Sequence, residues 1–328
     1  MGQLAKKIKE SSYLGRELYY IVLAIYSALI NRGRSDRYLI RKKYKRVFGR
    51  YPDLSNPKLL TEWIQYLKLT DRNPQHTILV DKYAVREFIE QRFGKEYVIP
   101  LIFETTKADD IGPEHISEYP CIVKSNHDSG NYRIIRAPED VDWKALRIDC
   151  KHWLRRQYYY CSQEWPYKNI TPHRIVVEKL LQTREGKIPN DYKLHYINGE
   201  LQFVYVSFDR EGVNDRCTYD AEWNRLPLVW VPKESYRPDM NTSDVPCPKS
   251  FEKMKEFGAA VAKDFKYVRV DFYDVDGKLY FGEITLFHGS GFDVFFPEKY
   301  DLIFGIKIDK KTCVKHLGKP HKLNNELA

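Results

Sequence analysis

The chain has 328 residues, of which 43 % are hydrophobic and 14 % aromatic, enough apolar surface for a sizeable core and too much for a disordered protein. Its net charge of +9 is local: residues 1–50 hold 13 Lys and Arg against 3 acidic side chains, and the remaining 278 residues balance to −1. An enzyme of nucleic acid would spread its basic groove over the fold, so the neutral body argues against that class.

The first segment, residues 1–50, reads as basic, apolar and helical. Residues 18–30, LYYIVLAIYSALI, form an uncharged run of 13, short of the roughly 20 that a spanning helix needs. No small-x-small cleavage site follows it, as a signal peptide would require. Instead come Arg32, Arg34, Arg37, Arg41, Lys42, Lys43, Lys45 and Arg46. An apolar helix beside a basic cluster suits an anionic inner leaflet, where each basic side chain near the surface contributes about 1 kcal/mol. A helix packed on the protein's own body with a solvated basic face fits the same pattern.

Residues 36–94 read as helices, those from 51 to 97 forming a lead-in. Trp63, Tyr66 and Leu67 keep helical spacing, Pro52, Pro57 and Pro74 punctuate, and Asp81 can cap a helix through Tyr83, Val85, Phe88 and Ile89. Residues 98–180 form a first strand-rich half, with strands at 98–103, 121–124, 132–136 and 174–181. A helix near 140–158 places Trp143, Leu146, Cys150, Trp153 and Leu154 on one stripe. A second half covers 181–309. There DYKLHYI and ELQFVYVSF flank the hairpin signal Asn198-Gly199, and YVRVDFY and LYFGEITLF surround Asp274-Val275-Asp276-Gly277. Residues 310–328 are a polar tail expected to fray. The class is α+β. Six cysteines without CxxC spacing fit reduced thiols of a cytoplasmic protein.

Two stretches carry chemistry. In Lys124-Ser125-Asn126-His127-Asp128-Ser129-Gly130 a lysine leads from a strand into a small polar loop, which can place an ammonium and backbone N–H groups around a phosphate. No GK[ST] follows, so this is not a Walker loop, and a plain polar hairpin loop fits as well. In the last hairpin, strand alternation puts Arg269 with Asp271 and Glu283 with Thr285. A three-residue turn with Gly277 left-handed would bring all four to one face, whereas a two-residue turn would send Glu283 to the other. Carboxylates in a covered sheet need a cation or hydrogen bonds, and oxygen ligands of this kind favour Mg²⁺. An Arg269–Asp271 surface ion pair is the simpler alternative. Asp274-Val275-Asp276 also fits the DxD of a glycosyltransferase that takes a sugar nucleotide, although turn chemistry explains it better.

In this order the pieces resemble the ATP-grasp superfamily and, more narrowly, the TupA-like (teichuronopeptide biosynthesis) family associated with bacterial surface polysaccharides such as capsule or O-antigen. The resemblance rests on DKYAVREF at 81–88, VKSNHDSG at 123–130, YYYCSQEWPYKNITPHRIVVEKLL at 158–181, DYKLHYINGE at 191–200 and VRVDFYDVDGKLYFGEITLFHGSG at 268–291. It implies an ATP-grasp fold, two α+β subdomains clasping ATP, behind a helical N-terminal extension. Lys82, Lys124 and the loop at Ser129 and Gly130 would contact phosphates. Glu178, Lys179, Leu180 and Leu181 would hold adenine, Asp191 the ribose, with Lys193 beside it. Asp271 and Glu283 match the two metal carboxylates, with Thr285 where many relatives carry Asn, and Arg269 matches the arginine that steadies an acyl phosphate. Asp128 stands where the family's phosphate loop usually has Gly. His288, Gly289, Ser290 and Gly291 would offer donors to that intermediate. The implied activity is an ATP- and Mg²⁺-dependent carboxylate–amine ligase joining an amino acid or amine to a uronic acid, with a glycosyltransferase of the same pathway as the alternative. The basic N-terminal segment and the reduced cysteines fit a cytoplasmic protein, with the inner face of the plasma membrane as one place for it.

Overall fold

A computed structural model describes residues 3–308 except 210, 213 and 214, so the polar tail expected to fray lies outside the described residues. The chain begins with α1 (Gln3–Ser11) and α2 (Tyr13–Asn31). Ser12 caps α2 by accepting the N–H of Gly15 at 3.0 Å. At 19 residues α2 exceeds the uncharged run, and by length and composition it is long and apolar enough to cross a membrane. The 13-residue reading fell short because Arg16 and Glu17 end the uncharged stretch without ending the helix. Both turn inward.

Helices α3 (Asp36–Phe48), α4 (Leu60–Thr70), α5 (Gln75–Val80) and α6 (Ala84–Phe93) follow. Asp81 accepts the N–H groups of Tyr83 and Ala84 and so caps α6. Then come β1 (Leu101–Thr105), β2 (Cys121–Ser125), β3 (Tyr132–Ile135), α7 (Trp143–Arg155), the short α8 (Tyr159–Ser162) and α9 (Trp165–Lys168), and β4 (Ile175–Lys179). The four strands form a sheet in the order β1-β4-β2-β3. Against it α7 buries Leu146, Cys150 and Trp153 on Val123, Ile175 and Val177. The first strand starts at Leu101 rather than 98, after Pro100.

The second half contains β5 (Asp191–Ile197), β6 (Glu200–Phe208), β7 (Asp215–Tyr219), β8 (Val229–Val231), α10 (Phe251–Ala262), β9 (Tyr267–Val275), β10 (Lys278–Thr285), β11 (Val294–Phe296) and α11 (Lys299–Ile306). Its antiparallel sheet runs β10-β9-β5-β6-β7. The helical lead-in belongs to this half: Leu60, Trp63, Ile64, Leu79, Val85 and Ile89 share one core with Leu194, Phe203, Val204, Val268 and Val270. Burying each such side chain contributes about 1.5–3 kcal/mol, so the lead-in braces the sheet that carries the last hairpin.

Candidate active site

The last hairpin turns in two residues, not three. Val275 pairs with Lys278, and Asp276 and Gly277 between them hold φ of +55° and +93°, the geometry that Asp-Gly supplies in a tight hairpin turn. Glu283 should then face away from Asp271. It does not, because the register shifts between Phe281 and Ile284: Phe281 opposes Phe272, but Ile284 opposes Val270. The bulge lies at Gly282 and Glu283, across from Asp271. A Cβ on Gly282 would stand 3.0 Å from the Asp271 carbonyl oxygen, so only glycine fits without a shift. Bulges next to active sites re-aim side chains in this way.

The result is one polar cluster. Arg269 donates from Nε and Nη2 to the two oxygens of Asp271 at 2.7 and 2.6 Å, and from Nη2 to Glu283 Oε1 at 2.6 Å. Thr285 donates its hydroxyl to Glu283 at 3.1 Å. On the neighbouring strand Lys193 opposes Asp271 in register and bridges it, 3.2 Å away, to Asp191. Asp191 Oδ1 is buried with no hydrogen-bond partner. Arg269 and Asp271 are buried, whereas Glu283 keeps 41 % of its side-chain surface open. Burial pushes the Asp271 carboxyl up, opposed by Arg269 and Lys193, and nearby Asp191 and Glu283 add to the rise. For Glu283 burial works the same way but loses to Arg269, Lys82 and Lys193, which bring it down to about 2. The two carboxylates Asp271 and Glu283 on one face suit a Mg²⁺ whose other ligands are phosphate oxygens and water, while the orphaned Asp191 oxygen is open to a hydroxyl donor. Among the described residues no three His, Cys, Asp or Glu form a complete metal cage.

The loop after β2 is tied down from both sides. Asn126 donates from Nδ2 to Asp81 at 3.0 Å, and Lys82 donates from Nζ to the Asp128 carbonyl at 2.5 Å. Asp128 is buried, and its charge is taken up by Arg156 at 3.0 Å and by the Ser129 N–H at 2.6 Å. The left-handed residue is Gly130, φ +84°, not Asp128. Arg156 was invisible as a partner in the sequence, since it lies 28 residues away. Lys124 sits within β2, and its Nζ lies 2.5 Å from Glu178, whose other oxygen accepts from Arg86 at 2.8 Å. Beyond Glu178, the N–H groups of Lys179 and Leu180 donate to the carbonyls of Pro100 and Pro120. Lys82 lies in the field of Glu283, Lys124 and Asp128, which connects this loop to the hairpin.

At the far end of the hairpin, Gly289, Ser290 and Gly291 all take positive φ, 52°, 55° and 70°. Arg269 donates from Nη1 to His288 Nδ1 at 2.8 Å, and His288 Nε2 lies 3.4 Å from Asp293. Burial lowers the His288 pKa, Arg269 lowers it further and Asp293 partly restores it, and the ring's hydrogen bond fixes the loop to the arginine. Asp274 and Asp276 point elsewhere. Asp274 accepts the N–H groups of Ser250 and Gly277 at 3.0 and 2.6 Å, and Asp276 accepts that of Arg184 at 2.9 Å. Both serve as turn and cap residues.

Two mixed α/β units with Lys124 on one sheet and a carboxylate–arginine cluster on the other fit an ATP-grasp protein. The chain belongs to the TupA-like ATP-grasp family, whose model matches residues 62–309. Among solved structures it is similar to D-alanine–D-alanine ligase from Bacillus anthracis complexed with ATP, at 14 % identity over 73 % of this chain and 64 % of that one, TM-score 0.40. It is also similar to D-alanine–D-alanine ligase from Helicobacter pylori (12 %, 77 % and 68 %, TM-score 0.39). The ATP-grasp ligase PsnB complexed with minimal precursor matches at 12 %, over 65 % and 54 %, TM-score 0.37. The chain thus spans roughly half to two thirds of the length of these ligases. None of the curated proteins matches it.

Proposed function

We propose that this protein is an ATP- and Mg²⁺-dependent carboxylate–amine ligase that joins an amino acid or other amine to a uronic acid of a bacterial surface polysaccharide or its precursor. The observation that carries the reading is the meeting of Asp271, Glu283 and Arg269 on one sheet face, 2.6–2.7 Å apart, with Lys82 in the field of Glu283. Residues 98–180 and 181–309 are the two subdomains that would clasp the nucleotide.

Asp271 and Glu283 would hold Mg²⁺, which when bound neutralises charge on the terminal phosphates. Lys82 and Lys124 bind phosphate oxygens, Ser129 and Gly130 cover them, and Asp191 with its free oxygen takes a ribose hydroxyl. Glu178, Lys179, Leu180 and Leu181 line the adenine side. Lys124 and Arg269 leave their present carboxylates to stabilise charge that develops during phosphoryl transfer to the substrate carboxylate. Arg269 then steadies the acyl phosphate beside the His288–Gly291 loop. An amine attacks the acyl carbon and phosphate leaves.

We further place the enzyme at the inner face of the plasma membrane. One face of α2 is pinned to α7 by Arg16 and Tyr20 on Asp149, each at 2.8 Å, and by Glu17 on His152. The opposite face exposes Leu14, Leu18, Ile21, Val22, Ile25 and Leu29. Arg32, Arg34, Arg37, Lys42, Lys45 and Arg46 are exposed just beyond its end. That arrangement suits a helix lying in the interface of an anionic bilayer.

A nucleotide-product assay over a panel of uronic acids and amino acids tests the ligase. ADP and phosphate formed only when both partners are present support it. UDP released from a sugar nucleotide would overturn it in favour of a glycosyltransferase.

A further inference from the structure

The sheet face that carries Asp271 does not end at Lys193. Residues paired across an antiparallel sheet share a face. Lys193 on β5 opposes Tyr205 on β6, which in turn opposes Thr218 on β7. Two residues along, Asp191 opposes Ser207 and Ser207 opposes Arg216. Nucleotide binding uses this face only as far as β5. Beyond it, Tyr205 is 3 % exposed and its hydroxyl has no hydrogen-bond partner. The same holds for the hydroxyl of fully buried Thr218 and for Arg216 Nε.

Arg216 Cζ lies 5.9 Å from the centre of the Tyr205 ring. Among the described residues no carboxylate pairs with its guanidinium. Asp215 accepts the backbone N–H of Arg216 at 2.8 Å, and its ion-pair partner is Arg237, 3.8 Å away. Buried polar groups in folded proteins are nearly all hydrogen-bonded, and an unmet donor costs free energy. Three of them on one stretch of sheet point to a ligand. All three can donate, and an arginine can only donate, so that ligand supplies acceptors and negative charge.

An acceptor stands on the other side of Tyr205. The His288 ring lies 6.4 Å from the Tyr205 ring, and Asp293 lies 3.4 Å from His288 Nε2, its one ion-pair partner among the described residues. Trp230 fixes the backbone there by donating from Nε1 to the Asp293 carbonyl at 3.1 Å. A Cβ on Gly289 would collide with the Asp293 carboxyl, so Asp293 borders the loop proposed to lie beside the acyl phosphate. Its side chain keeps 14 % of its surface open. Val229, Val231 and Met240 pack on Tyr205 and hold the phenol in place.

We propose that Arg216, Tyr205 and Asp293 form the subsite for the amine, and that this amine is an α-amino acid bound as its zwitterion. The carboxylate takes the donors of Arg216 and Tyr205, with Thr218 beside them. The ammonium takes Asp293 at the edge of the loop. This rests on the carboxylate–amine ligase reading and narrows its amine. An α-amino acid separates its two charges by one carbon, and the subsite sets donors and acceptor on the two sides of one ring. An amine without a carboxylate leaves Arg216 and Tyr205 unpaired and is rejected for that reason.

The test compares the amino acid that the wild type joins fastest with the carboxamide of that same amino acid, which keeps the ammonium and loses only the negative charge. Arg216→Gln should lower kcat/KM for the amino acid about tenfold to a hundredfold and change the carboxamide far less, so the preference for the acid collapses. Loss of folded protein would lower both rates together and leave their ratio unchanged. If Arg216→Gln does not fold, Tyr205→Phe carries the comparison, since it keeps the ring and removes only the hydroxyl. Asp293→Asn should slow both substrates alike, because both carry the ammonium. A wild type that uses the carboxamide as well as the acid, or a preference that survives in the variants, would overturn the subsite. A wild type that forms no amide with any amine would overturn the ligase reading beneath it.

Discussion

At the scale of single residues the account turns on Asp271, Glu283 and Arg269. In the structure Arg269 bonds both carboxylates and offsets one of their two charges, and Mg²⁺–ATP would compete with it for the oxygens. A ligand that binds only the folded state stabilises it by mass action. Asp271→Asn or Glu283→Gln should therefore abolish the magnesium-dependent rise in melting temperature with ATP and nearly all turnover. The double variant should lose little more than either single one, because both disable one site. Single variants with full activity would remove the metal assignment. Arg269→Ala differs in kind: it removes the two-pronged partner of buried Asp271 and leaves it only Lys193 at 3.2 Å, so its folding stability falls together with its activity. Lys124→Ala should weaken ATP binding far more than adenosine binding. It should cost little fold stability, because Glu178 keeps Arg86 at 2.8 Å. Unchanged ATP affinity by calorimetry would count against its phosphate role.

At the scale of elements the hairpin shows what sequence reading reached and where it stopped. Alternation along the strands correctly paired Arg269 with Asp271 and Glu283 with Thr285. The turn between them was misjudged, since Asp276-Gly277 closes in two residues, and the error was cancelled by a bulge at Gly282 that no local pattern announces. A glycine in a strand marks a bulge or a close approach, and that was the available signal. Gly282→Ala should force the Asp271 carbonyl and the Tyr273 ring apart from the new methyl. We expect a destabilisation of about 1–3 kcal/mol and a larger relative loss of magnesium-dependent ATP binding. Thermal melting with and without Mg²⁺–ATP checks this, and wild-type binding would show that the bulge does not aim Glu283. Elsewhere α10, β7, β8 and β11 escaped the reading. The three-residue β8 and β11 are too short to show a period, and their paired residues lie 63 to 67 positions apart in the chain. Tyr205, Arg216 and Arg156 were missed for the same reason: burial and partnership between distant residues leave no local trace.

At the scale of the whole molecule, the charge asymmetry legible in composition becomes a geometric feature. A neutral catalytic body carries a basic, apolar helical extension, attached through Asp149 and His152 of α7. Replacing Leu18 and Ile25 by Asp changes only the outward face of α2 and should release the protein from anionic vesicles in flotation while leaving its folding intact. Equal recovery of the variant and wild type would show that α2 does not dock. The central claim, that the two sheets of this chain bring ATP and a carboxylate together to make an acyl phosphate, is open to one direct measurement. A uronic acid labelled with oxygen-18 in its carboxyl group is turned over with ATP, Mg²⁺ and an amine. The account predicts one labelled oxygen in the inorganic phosphate for each amide formed. Amide formation with unlabelled phosphate would contradict it.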